Sequence, residues 1–243
     1  MSSDDTRTRI LDAAGHAFAS KGYEKATVRE ICCAARANLA SVNYYFGDKQ
    51  GLYSETVRDA YRRRCVQVPT PQWPQGTAAA TKLRFFIHMQ LSRALVEPGD
   101  SWETQLLMRE VMHPTAACRT LVQDFFRPQF EMLQEILKEI VPSAVPTHRL
   151  HQLALSVVGQ CIYYRIAKEV VPMIVGEAEY QEHYHVDQLC EHITAVCLAA
   201  LGQAPTLNSE QGWQKQADNQ VGPPSASLGR NNKSTDTTST NGV

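Results

Sequence analysis

The run of the chain best equipped for molecular recognition is Asn38-Leu39-Ala40-Ser41-Val42-Asn43-Tyr44-Tyr45-Phe46, with Lys49 just beyond it. Ala40 and Ser41 are small enough for close approach to base edges or phosphates. Asn43 can pair with adenine, and the phenolic hydroxyls of Tyr44 and Tyr45 can donate to phosphate oxygens. Lys49 adds a positive charge at a helix N-terminus, where backbone N–H groups already favour an anion, and Thr27 occupies the corresponding place on the other flank. This is binding chemistry aimed at a nucleic acid. Catalytic signals are missing: the sequence has no glycine-rich phosphate loop, no nucleophile elbow and no paired carboxylates, which argues against an enzyme.

Short helices must position these groups. From Arg9 to Ser20 the apolar residues Ile10, Leu11, Ala14, Ala17 and Phe18 recur at helical spacing, and Gly22 stands where a left-handed C-terminal cap would fall. Thr27 precedes Val28-Arg29-Glu30 with the spacing of a capping box, so Glu30 is expected to reach back to the start of a second helix. The break Arg36-Ala37-Asn38 is long enough only for a tight turn. Asn38 then caps a third helix, Leu39 to Phe46, which keeps Val42 and Phe46 for the core, and Asp48 caps a fourth. Two helices joined by so short a turn, behind a supporting first helix, form the frame that lets one helix enter a major groove. An ordinary three-helix structural unit with the same spacing is the alternative.

Charge is distributed to match. Residues 1–66 hold 11 Lys and Arg against 8 Asp and Glu, whereas residues 67–202 hold 10 against 14, within an overall net charge of -1. The seven cysteines include no C-x-x-C pair and sit mostly among apolar residues, the pattern of a reducing compartment. The first five residues are polar and acidic, and no apolar stretch is long enough to span a bilayer. The expectation is a cytoplasmic protein with no membrane partner.

The runs Thr27-Val28-Arg29-Glu30-Ile31 and Asn38 through Tyr53 closely resemble the DNA-binding domain of the TetR family of bacterial repressors, over about residues 7 to 65. The resemblance implies a helix-turn-helix that binds a palindromic operator in double-stranded DNA as a homodimer. It assigns DNA contacts to Thr27, Ser41, Tyr44, Tyr45 and Lys49, beside Ala40 and Asn43 from the residues themselves. This chain departs from the family at Arg36, where glycine is usual and the backbone is often left-handed. Arginine there is either a strained turn residue or an added phosphate contact. Tyr45 stands where histidine is common.

Pro69 to Gly76 contains three prolines and a glycine, so a domain boundary is placed there. An all-α architecture follows: a DNA-binding domain over 7–66, a larger helical effector-binding and dimerisation domain over 77–202, and a disordered polar tail over 203–243. Helices are expected at Thr77–Val96, Ser101–His113, Thr115–Val141 with a kink or division at Pro128, Thr147–Val171 and Val186–Leu201. The runs from Trp102 to Thr115, Arg127 to Phe130 and Ser156 to Cys161 resemble the CerR/CecR-type subgroup. That resemblance implies dimerisation through helices at about 147–171 and 186–201, with Leu153, Val157, Ile162, Leu189, Ile193, Val196 and Leu201 as candidates for the interface or the core. For an effector pocket the candidates are Trp102, Met108, Met112, His113, Phe126, Phe130 and Tyr163. They suit an unknown, mostly apolar small molecule whose binding shifts the dimer away from the half-site spacing DNA requires.

Other chemistries find less support. His148, His151, His183 and His185 with Glu179 and Glu182 have ligand-like spacings but lie in polar stretches and complete no four-ligand set, so no metal and no cofactor are expected. Adjacent Cys32 and Cys33 on the second helix suit a core position and a half-exposed one better than a redox pair. The rival reading within DNA binding is an architectural protein without an effector.

Overall fold

The structure, a computed structural model, describes residues 3–95 and 101–203, and all its regular elements are helical. Helix α1 (Ser3–Lys25) carries Ile10, Leu11, Ala14 and Phe18 on its buried side. Gly22 interrupts it with φ 77° and ψ 172°, a region open essentially to glycine alone, so the chain bends and makes a further turn where a left-handed cap was expected. Helices α2 (Val28–Ala35), α3 (Leu39–Phe46) and α4 (Lys49–Gln67) complete the N-terminal head. Its core joins Ile10, Phe18, Ile31, Val42, Leu52 and Val57. The Phe18 and Tyr53 rings meet edge to face with centroids 4.8 Å apart.

No helix crosses residues 68–78, as the prolines require. Beyond them come α5 (Ala79–Leu95), α6 (Trp102–Met112) and α7 (Ala116–Leu121). The helix expected over Thr115–Val141 is divided: a π-helical turn, Val122–Phe126, separates α7 from α8 (Arg127–Ile140). Pro128 sits in the first turn of α8, directly after the π-helical turn, and that wide turn accommodates the proline ring and the change of register.

Helix α9 (Thr147–Ile166) stops five residues short of the expected Val171. Pro172 accounts for this, because its ring would strike the carbonyl of residue 168 in a continuous helix. The chain turns instead and restarts as α10 (Val171–Val175), with the proline in its first turn. Helix α11 (Glu177–His183) lies in a stretch whose polarity hid it; its acidic residues open the first turn and His183 closes the last, matching the helix dipole. Helix α12 (Val186–Ala200) follows, and Gln203, expected to begin the tail, donates from its side chain to the Ile140 carbonyl at 3.0 Å. Residues 204–243, the rest of that tail, lie outside the described residues, as does Val96.

Two apolar cores result. One belongs to α5, α8, α9 and α12 and contains Phe86, Leu133, Leu137, Ala154, Val157, Leu189 and Ile193. The other is the core of the head, and it also takes Trp102 and Leu106 from α6 and Ala117 and Leu121 from α7. Helices α6 and α7 follow the proline-rich break in the chain, yet they pack on the side before it.

Candidate nucleic-acid interface and effector cavity

Side-chain caps set the geometry of α2 to α4. Thr27 Oγ1 accepts from the Glu30 N–H at 3.3 Å. The reciprocal half of the expected capping box is not made, because Glu30 bonds Lys21 Nζ at 2.9 Å, an ion pair that holds its carboxyl below the usual range. At the end of α2, Arg36 has φ 50° and ψ 46°, and its N–H reaches the carbonyls of Cys32 and Cys33. Asn38 Oδ1 accepts from the Ser41 N–H at 2.7 Å and from the Ser41 hydroxyl at 2.8 Å. Asp48 closes the set by accepting from the Gly51 N–H at 2.7 Å.

On α3, Val42 and Phe46 are buried while Ala40, Asn43 and Tyr44 are exposed, Tyr44 to 81%. Tyr45 is half-buried against the head core, its ring edge to face with that of Tyr44. Ser41 is also half-buried, with its hydroxyl proton engaged by Asn38. Lys49 donates to the Glu24 carbonyl at 3.2 Å and lies 4.7 Å from the centre of the Tyr23 ring, so its charge is held beside the end of α1. Thr27 and Arg36 are exposed.

The left-handed backbone of Arg36 sets up a direct expectation. Glycine adopts that conformation without the Cβ penalty, so Arg36→Gly should raise stability by about 1 kcal/mol, read as a higher melting temperature. Titration with DNA at several salt concentrations reads the other role: loss of a phosphate contact lowers the salt slope by about one.

A cavity of about 780 Å³ opens among α4, α5, α6, α8 and α9 and the π-helical turn. Of the residues expected at an effector site, Met108, Phe126 and Phe130 line it. Trp102 instead packs into the head core, over Gly15 of α1. Met112 and His113 are exposed at the end of α6, and Tyr163 is exposed on α9. The polar wall of the cavity, which includes Tyr61, Arg64, Gln90, Arg93, Arg127 and Arg165, was not among the residues expected from the sequence. One signal was present: Val57, Tyr61 and Arg64 fall at i, i+4 and i+7 on the buried stripe of α4, an unusual place for an arginine.

Helix α6 presents two working faces. Thr104, Leu107, Met108 and Val111 line the cavity. Trp102, Leu106, Arg109 and Glu110 engage the head. Arg109 Nη2 donates to the carbonyls of Ala19 and Ser20 at 3.3 and 3.4 Å. Fully buried Glu110 accepts from the Tyr53 hydroxyl at 2.5 Å and from the Thr115 N–H and hydroxyl at 3.2 Å each. Burial and this carboxylate push the Tyr53 phenol well above its ordinary value, so it remains a donor.

Of the interface candidates, Val157, Leu189 and Ile193 are in the chain's own core, and Ile162 lines the cavity. Leu153, Val196 and Leu201 are half-buried. Exposed apolar side chains occur instead at Tyr163 and Ile166 of α9, Val170, and Met173 and Ile174 of α10. Cys32 is buried, which raises its thiol pKa, and Cys33 is exposed; neither is in a disulfide. Among the described residues no group of three or more His, Cys, Asp or Glu is placed to hold a metal ion, and no helix is long and apolar enough to cross a membrane.

Residues 10–56 match the family described as bacterial regulatory proteins, tetR family. Residues 79–201 match the C-terminal domain of the HTH-type transcriptional dual regulator CecR. The chain is 22% identical over 192 residues to the HTH-type transcriptional dual regulator CecR of Shigella flexneri, covering 74% of this chain and 84% of that protein. It is 38% identical over 134 residues to the Probable HTH-type transcriptional regulator YttP of Bacillus subtilis (strain 168), covering 55% of this chain and 64% of that one. A TetR-like transcriptional regulator from Rhodococcus sp. RHA1 superposes with a TM-score of 0.58 at 18% identity, over 81% of this chain and 96% of the other, a likeness of fold.

Proposed function

The chain belongs to the TetR family of DNA-binding transcriptional regulators, with the C-terminal domain of the CecR type, and on that premise we propose that it is a repressor that holds a palindromic operator as a homodimer and releases it when a mostly apolar small molecule enters the cavity. The observation that carries this reading is the double role of α6, which lines the cavity with one face and anchors the head with the other. A ligand that fits the cavity better in one setting of α6 biases the head toward that setting. In a dimer the two reading helices must lie roughly 34 Å apart, one turn of DNA, so a small tilt of each head spoils the match.

The head, 7–66, supplies the contacts, and the remainder, 77–202, supplies the dimer and most of the cavity, to which α4 adds Tyr61 and Arg64. Ala40, Ser41, Asn43 and Tyr44 of α3 face the groove, flanked by Thr27, Arg36, Tyr45 and Lys49 at the phosphates. The dimer forms through α9 and α12, and partner burial accounts for the exposed Tyr163, Ile166, Met173 and Ile174 on α9 and α10, an apolar set of the kind soluble monomers seldom leave open.

Footprinting on genomic fragments tests the reading. One discrete palindrome, protected by a dimer and freed by an effector, supports it; uniform protection means an architectural DNA binder instead. Two variants divide the roles within α3. Tyr44→Phe should weaken operator binding about tenfold while leaving the melting temperature unchanged. Val42→Ala, which truncates a fully buried side chain, should cost about 2 kcal/mol of stability. The opposite pattern would reverse the assignment of the two faces.

A further inference from the structure

The wall of the cavity carries more positive charge than a purely apolar ligand needs. Four arginines, Arg64, Arg93, Arg127 and Arg165, face it against one carboxylate, Glu131. Arg93 is tied at Nε to the Val68 carbonyl, 2.9 Å away, and at Nη2 to the Thr70 hydroxyl, 3.2 Å away. Neither partner is charged, and Arg93 Nη1 is buried with no hydrogen-bond partner. Tyr61, also on the cavity wall and only 6% exposed, has its hydroxyl buried with no oxygen or nitrogen acceptor and only the Cys65 sulfur beside it. The Cys65 thiol beside it is a weak acceptor, and the Arg93 charge acts on the same hydroxyl.

Buried donors in native proteins almost always find acceptors, and a donor left without one costs more when it is charged. A cationic donor with no acceptor beside a hydroxyl that has only a weak sulfur acceptor calls for an acceptor that carries negative charge. The rest of the lining suits a hydrocarbon or aromatic body: Phe86, Met108, Phe126, Phe130, Val158 and Ile162.

We propose that the cavity takes an amphiphilic anion, its acidic head group received by Arg93 and Tyr61 and its apolar body lying along Phe126, Phe130 and Ile162. This rests on the reading of the cavity as the effector site and specifies the ligand's chemistry. The shared requirement is a single negatively charged oxygen-bearing group, carboxylate or sulfonate, on a body small enough for about 780 Å³. A cationic amphiphile of the same size would set its charge against the arginines and be excluded.

Three probes of equal chain length separate the possibilities: decanoate and decyltrimethylammonium, each below its micellar concentration, and 1-decanol, below its solubility limit, titrated into the full chain by calorimetry. Decanoate should bind, decanol about tenfold or more weakly, and the ammonium compound not measurably. Tyr61→Phe removes a buried hydroxyl that has only a weak sulfur acceptor, so the free protein should melt at about the same temperature or higher while its affinity for decanoate falls about tenfold. Arg93→Met should weaken decanoate about tenfold or more and bring it level with decanol. Should Arg93→Met fail to fold, Tyr61→Phe decides.

Decanol or the ammonium compound binding as tightly as decanoate, or decanoate affinity indifferent to Tyr61→Phe, overturns the proposal. So does the failure of all three to bind. The effector reading itself falls only if, in addition, no compound from a broad set shifts the melting temperature or frees operator DNA.

Discussion

Gly15→Leu should destabilise the protein by about 3 kcal/mol and lower its melting temperature by about 10 °C, although the substitution improves helix propensity. Glycine inside α1 costs about 1 kcal/mol relative to alanine, so its presence there calls for a reason. The reason is Trp102: a Cβ at position 15 would lie 2.4 to 2.5 Å from its indole carbons. Trp102 is buried among the head's apolar residues, and the Arg63 guanidinium lies 5.1 Å from its ring centre, so the ring has little room to withdraw. Steric overlap with a confined aromatic exceeds the gain in propensity. The partner substitution checks the cause. Trp102→Ala alone should cost about 4 kcal/mol. The double variant should melt well above the sum of the two losses, because leucine then fills space the indole has left. Simple additivity across the four melting curves would show that the two positions do not act on each other.

Glu110→Ala is expected to cost about 3 kcal/mol, because it orphans three donors at once, the Tyr53 hydroxyl, the Thr115 N–H and the Thr115 hydroxyl. Tyr53→Phe in the same chain should restore part of the loss by removing one orphan. The functional consequence is more specific. Glu110 ties α4 to α6, so without it the head and the cavity should respond less to each other. Operator affinity measured on folded Glu110→Ala at low temperature should stay within a few-fold of the parent, while the effector's power to free DNA drops about tenfold. Full retention of that power would place the coupling in other contacts, with Arg109 and its bonds to the end of α1 the next to change.

What could be read in the sequence was local. The division of α3 into Val42 and Phe46 inward and Asn43 and Tyr44 outward follows from helical periodicity over eight residues. Asn38 and Asp48 cap as residues of their type do. Arg36 has the left-handed backbone that its place in the turn suggested. What the sequence did not reveal involves distant partners. Glu110 looks like a surface residue in its own helix, and nothing nearby shows Tyr53, 57 positions earlier, donating to it. Trp102 has the composition of a pocket residue, and only the fold brings it over Gly15. Glu30 had two possible partners, the start of its helix and Lys21, and the charged one prevailed. The cavity arginines come from α4, α5, α8 and α9, so their convergence has no sequence period.

Helix α6 is 11 residues long, about three turns, and its cavity-facing positions 104, 107, 108 and 111 alternate along it with the head-facing positions 102, 106, 109 and 110. Because the two sets share no residue, each can drift without rewriting the other. On the function proposed above, substitutions at 104, 107, 108 and 111 would retune which molecule is heard and leave the genes that answer unchanged, while exchange of α3 would redirect the output under the same input. The architecture is thus suited to diversification by parts, and a sensor for a chosen compound could be built from this chain by recoding one side of one helix.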